Sequence, residues 1–187
     1  MIYTGDYLKN LTDNGLIHFL DVNRLKLAGS AVFTRNKSLV SKIVSSVCRG
    51  KCDKEEWIPS HVGSLVLMGG GVYLFDMKPP KATLTKLKNY IKETNDDFII
   101  VMRDFELDVE KFSFNICDRN KNYYGYISAV QSAFKWLWYP LREHCSEIHL
   151  KELNEQKLFT QYKPNNTTPK DLLEILNKGH YYCSGDL

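Results

Sequence analysis

The chain has 187 residues, 43% of them hydrophobic and 12% aromatic, which is enough to bury a sizeable core within one domain. Its 25 basic and 22 acidic residues are interspersed, so the net charge of +3 leaves no basic footprint of the kind that nucleic acid requires. No stretch approaches the roughly 18 apolar residues of a membrane span, and the opening Met1-Ile-Tyr-Thr-Gly-Asp lacks the basic-then-apolar order of a cleaved secretion signal.

Residues 30–34 read as a short strand, and 38–47 as a helix with Ser38 as N-cap and Leu39, Ile43 and Val47 on one face. Five cysteines, Cys48, Cys52, Cys117, Cys145 and Cys183, form an odd set without disulfide density, which fits free thiols in a cytoplasmic, reducing setting. From His61 to Met68 the chain is apolar on both parities; Gly69-Gly70-Gly71 signals a turn, and Val72 to Met77 continues as a second strand, giving a hairpin. Pro79 and Pro80 stop that strand. Leu84, Leu87 and Ile91 then space a helix whose solvated face carries Lys81, Lys88 and Lys92, and Asp97 to Met102 reads as a further strand.

Leu107 to Ile116 reads as a short helix, and Ile127, Val130, Phe134 and Leu137 mark the buried stripe of a longer one that Pro140 follows. The spacing after it predicts a helix over Cys145 to Phe159. Thr168-Pro169-Lys170-Asp171 supplies an N-cap, a first-turn proline and an acidic N3 residue ahead of Leu172 to Leu176, and Gly179 ends that last helix. No internal repeat or low-complexity linker interrupts the series, so a single domain over residues 1–187 is expected.

Cys145 opens its helix, where the partial positive charge of the helix end favours thiolate over thiol and the backbone N–H groups suit a developing oxyanion. Most cysteines are small buried apolar residues. Here Glu143, His144, Ser146 and Glu147 flank the sulfur and make purely apolar burial less natural. His61 begins an apolar strand after Pro59-Ser60, a sheet-edge position suited to a general base, although a strand histidine alone makes no mechanism.

Asp76 is the carboxylate able to orient that histidine, and hairpin geometry tests it. A two-residue turn at Gly69-Gly70 or Gly70-Gly71 places Asp76 opposite Gly63 or Leu65, on the face of His61; a three-residue turn without a bulge places it on the other face. His144 is adjacent to Cys145, but neighbours at a helix start point in different directions, so it ranks below His61 as the base. His149, four residues on, shares the helix face of Cys145 and would also suit a pair of metal ligands. Cys48 and Cys52 form another close pair, but no second pair of finger type completes a zinc site, so no metal is assigned. Tyr124 and Tyr126, within Tyr123-Tyr124-Gly125-Tyr126, are candidates for lining a substrate groove, with core packing as the ordinary alternative.

Taken in order, these motifs resemble the circularly permuted papain-like branch of the NlpC-type cysteine peptidase superfamily, which includes YiiX-like proteins and the lecithin:retinol acyltransferase-like enzymes. Ser60-His61-Val62-Gly63 is similar to the family's histidine strand and Cys145-Ser146-Glu147-Ile148 to its nucleophile helix. Leu27 to Phe33, Tyr124-Gly125-Tyr126 and Thr168-Pro169-Lys170-Asp171-Leu172 look like weaker motifs in the same order, covering roughly residues 25–176. Two departures stand out: Gly29-Ser30 lacks the usual aspartate, and His144 replaces the common asparagine or tyrosine.

The resemblance implies an α+β permuted papain-like domain, with a small antiparallel sheet packed against helices. It implies a cysteine hydrolase or acyltransferase acting on an amide, ester or thioester through Cys145 as nucleophile, His61 as base and Asp76 as third polar residue, with no cofactor. Cell-wall peptides, lipid-linked acyl groups and protein isopeptides are the substrate classes it offers; the missing secretion signal accommodates a phage- or virus-encoded protein as well as a cellular one. A non-catalytic binding or structural module on the same fold, with Cys48 and Cys52 on zinc, is the competing reading.

Overall fold

The computed structural model describes residues 1–35, 57–78, 81–118, 145–165 and 167–178. In chain order the elements are β1 (Ile2–Thr4), α1 (Gly5–Asn10), α2 (Asp13–Val22), α3 (Arg24–Leu27), β2 (Ala31–Arg35), β3 (His61–Met68), β4 (Gly71–Lys78), β5 (Lys81–Lys86), α4 (Leu87–Glu93), β6 (Asp97–Val101), α5 (Val109–Asp118), α6 (Cys145–Glu155) and α7 (Pro169–Lys178). The fold is mixed α+β, built on a six-stranded sheet of order β1-β6-β2-β3-β4-β5 in which every neighbouring pair is antiparallel.

Strand alternation divides the core in two, because successive side chains leave a sheet on opposite faces. On one face Val32, Leu65, Leu74, Phe98 and Ile100 pack with Leu8, Leu16, Leu27, Leu87 and Ile91 of α1 to α4. On the other Phe33, Val62, Val66, Phe75 and Met77 pack with Phe112 and Ile116 of α5, Ile148 and Leu153 of α6, and Leu172 and Ile175 of α7. A sheet covered on both faces explains why the β3 and β4 sequences are apolar on both parities.

The N-terminal helices are held by side-chain caps: Thr4 accepts from the Tyr7 N–H at 3.3 Å and Thr12 from the Gly15 N–H at 3.1 Å. The helix expected around Leu84 starts later, at Leu87. Residues 81–86 instead pair with β4 from Tyr73↔Lys86 to Lys78↔Lys81, so the β-branched Thr83 and Thr85 follow the sheet and Leu84 is an exposed strand residue. Lys81 accordingly lies on a strand, and Lys92 does more than face solvent: its ammonium donates to the Leu11 carbonyl at 2.9 Å and lies 3.4 Å from Asp13, tying α4 to α2.

The helix expected through Phe159 ends at Glu155. Lys157, at φ +63°, reverses the chain; its N–H donates to the Asn154 carbonyl at 2.9 Å and that of Leu158 to the Leu153 carbonyl at 3.0 Å, the paired bonds of a Schellman stop. The helices expected over 38–47 and 127–137 lie outside the described residues.

Candidate active site

Gly69 and Gly70 form a two-residue turn with φ of +53° and +78°, the left-handed pair that a tight hairpin demands and glycine supplies without a Cβ clash. The ladder therefore runs from Met68↔Gly71 to Ser64↔Phe75. One step further lie Gly63 and Asp76, so the two-residue-turn alternative holds and Asp76 shares the parity of His61. The two side chains meet on the diagonal: the His61 Nε2 hydrogen-bonds the Asp76 carboxylate, and both residues are buried.

The backbone of His61 is fixed from its other side. The β2–β3 ladder continues to Thr34↔His61 after β3 and β4 have stopped pairing, and the Ser60 N–H donates to the Thr34 carbonyl at 2.9 Å. His61 thus stands at the first position of β3. Gly63 lets the hairpin close behind it: a Cβ there would lie 2.5 Å from Leu74 Cδ1 and 3.1 Å from the Phe75 carbonyl oxygen.

Cys145 is the first residue of α6 and is 8% exposed. Cys145 lies close enough to the His61 imidazole to favour, together with Asp76, its protonated form. Because Nε2 is taken by Asp76, Nδ1 is the ring nitrogen left for the sulfur. Burial disfavours the imidazolium, but the negative charges of Cys145 and Asp76 and their hydrogen bonds outweigh it and push His61 up from 6.5 to about 10. The arrangement sets one imidazole between a sulfur and a carboxylate.

The start of α6 is anchored at the same end. Ser146, fully buried, donates its hydroxyl to the Thr167 carbonyl just before α7. There Thr168 and Asp171 form the reciprocal cap that the sequence suggests: the Thr168 N–H donates to the Asp171 carboxylate at 2.9 Å and the Asp171 N–H to the Thr168 hydroxyl at 3.1 Å. The first N–H groups of an α-helix are not consumed by its own carbonyls, so the segment that carries the sulfur also presents donors of the type an oxyanion uses.

His149 shares α6 with Cys145, but the structure gives it to Ser64: its Nδ1 lies 2.8 Å from the Ser64 hydroxyl, and its ring meets Phe112 edge-on with centroids 5.5 Å apart. Complete burial holds its pKa down at about 4, so it is a neutral imidazole. The Ser64–His149 pair was not legible as a pair; its one trace is Ser64 itself, a hydroxyl between Val62 and Val66 on an otherwise apolar strand face. Among the described residues no group of three His, Cys, Asp or Glu could hold a metal ion. Tyr124, Tyr126, His144, Cys48 and Cys52 lie outside the described residues.

Compared with known proteins, the sequence matches no family model and no curated protein. Among the described residues, no helix is long and apolar enough to cross a membrane.

Proposed function

We propose that this chain is a cysteine hydrolase or acyltransferase of the permuted papain-like kind, acting on an amide, ester or thioester. The observation that carries the reading is the position of one imidazole, His61, between the Cys145 sulfur and the Asp76 carboxylate. The thiolate of Cys145 attacks the substrate carbonyl carbon, and the electron pair of the carbonyl moves onto oxygen, where N–H groups at the start of α6 stabilise it. Collapse of that intermediate breaks the bond to the leaving group, which takes the proton from the His61 imidazolium and leaves an acyl-Cys145 thioester. His61, now neutral, takes a proton from water or from another acceptor nucleophile; its attack releases the acyl group and restores the ion pair. Asp76 keeps the ring oriented and stabilises its cationic form throughout.

Peptides, lipid-linked acyl groups and isopeptides all present the required carbonyl, and on sequence grounds Tyr124 and Tyr126 remain the residues we propose for substrate binding. The test is alkylation followed by peptide mapping. Iodoacetamide near pH 6 should select Cys145 over the other four cysteines, with the rate falling sharply in His61→Ala. Uniform slow labelling of all five would replace this reading with that of a non-catalytic module.

A further inference from the structure

We infer that the buried Ser64–His149 hydrogen bond is a positioning device that sets α6 on β3 so that the Cys145 sulfur meets the His61 ring. The inference rests on the reading of Cys145 and His61 as a catalytic pair and adds two residues to it.

His61 and Ser64 belong to β3, Cys145 and His149 to α6, so the same two elements are joined twice: once at the reacting pair and once, a helical turn further on, at a neutral polar pair. Ser64 lies on the strand face that α6 covers, with Val62 and Val66. His61 has the other parity and reaches Cys145 at the strand's beginning. Two links on opposite parities oppose both sliding and rolling of the helix. Rolling α6 about its axis to ease one link stretches the other.

The energetics of the pair point the same way. Ser64 is 3% exposed and His149 0%, amid Phe112, Val62, Val66, Ile148 and Leu153, where an aliphatic side chain would pack without any polar group to desolvate. The His149 Nε2 has no hydrogen-bond partner among the described residues, so the site bears the cost of a buried polar atom while making only the one bond through Nδ1. Apolar contacts would hold α6 against the sheet but tolerate small shifts. A hydrogen bond is directional, and a nucleophile and its base need placement to within about 0.5 Å.

The experiment compares His149→Leu, Ser64→Ala and His149→Asn with the wild-type chain. The asparagine amide takes the place of Nδ1 and, through its nitrogen or its oxygen, keeps a hydrogen bond to Ser64; leucine fills the space without one. The readouts are the pH profile of Cys145 alkylation and the thermal unfolding midpoint. His149→Leu and Ser64→Ala should each lower the alkylation rate near pH 6 by about 10- to 100-fold, with the thiolate limb of the profile moved to higher pH and the midpoint unchanged or raised in His149→Leu. His149→Asn should recover most of the rate, and the double variant His149→Leu/Ser64→Ala should be no worse than either single one. A folded leucine variant with the wild-type profile overturns the inference, and so does a rate loss that asparagine fails to recover. If His149→Leu does not fold, Ser64→Ala against His149→Asn carries the same comparison. A wild-type chain whose Cys145 alkylation does not depend on His61 overturns the proposed function instead, a result that the His61→Ala arm separates from the other two.

Discussion

The imidazole of His61 and the carboxylate of Asp76 meet across the diagonal of a single hairpin, 15 residues apart in sequence, before any contribution from α6. This makes the proposed base and its proposed orienting group one local unit. Asp76→Asn keeps the shape but removes the charge that favours the imidazolium. Acyl-enzyme formation, followed by intact-mass spectrometry, should slow on the order of 10²- to 10⁴-fold with the fold retained by circular dichroism. A loss of less than threefold would reduce Asp76 to a spectator.

Stability should depend on His61 on the alkaline side. Its folded-state pKa is raised, from 6.5 to about 10. Below about pH 6.5 the folded and unfolded chains both hold the proton and the stabilisation is fully present; between there and about pH 10 only the folded chain holds it, so stability falls as pH rises. In urea unfolding, the stability gap between wild type and His61→Gln should narrow from about pH 6 to about pH 10. A gap of constant size would contradict the ion pair.

His149 works in the opposite direction. Its folded-state pKa is depressed by burial to about 4, against 6.5 unfolded. As pH falls through that window the unfolded chain gains a proton that the folded chain refuses, so stability present above about pH 6.5 is lost toward pH 4. His149→Leu should flatten this acid limb relative to wild type, a difference that thermal melts at about pH 7 and about pH 4.5 would reveal.

Gly63→Ala should damage both fold and site. The added methyl would collide with Leu74 and press on the Phe75 carbonyl, both in the strand that bears Asp76. A loss of about 1–3 kcal/mol in chemical denaturation is expected, accompanied by slower Cys145 alkylation because His61 lies two residues away.

Lys157→Gly should stabilise the protein by about 0.5–1 kcal/mol. Lys157 is exposed and holds the left-handed position of the α6 stop, where glycine has no Cβ penalty. A destabilised glycine variant would mean that the lysine side chain earns its place through a contact of its own.

Local patterns carried the hairpin, the Thr168 cap and the start of α6 from sequence to structure without distortion, because turn glycines, capping side chains and apolar runs act over a few residues. Asp76 was legible for the same reason: once the turn length is known, parity decides its face. Leu84 misled because its 3.6-residue spacing to Leu87 and Ile91 competes with pairing to β4, a tertiary effect absent from any short window. The Ser64–His149 bond spans 85 residues and joins two elements whose approach no local rule encodes. The sulfur's contact with His61 is equally long-range; the motif order suggested it, whereas neither spacing nor periodicity could.

Sheet order also sets a schedule. β1 waits for β6, and α6 can dock only after the whole sheet has been synthesised, whereas β3, β4 and β5 are consecutive neighbours that need no distant partner. Short-range pairing closes faster than long-range pairing, so the His61–Asp76 half of the site should form early and Cys145 should arrive last. Pulsed amide exchange during refolding would show protection over 61–78 before 145–155. Until then the sulfur would have no imidazole beside it, and on the proposed function a newly made chain would be chemically quiet toward its neighbours.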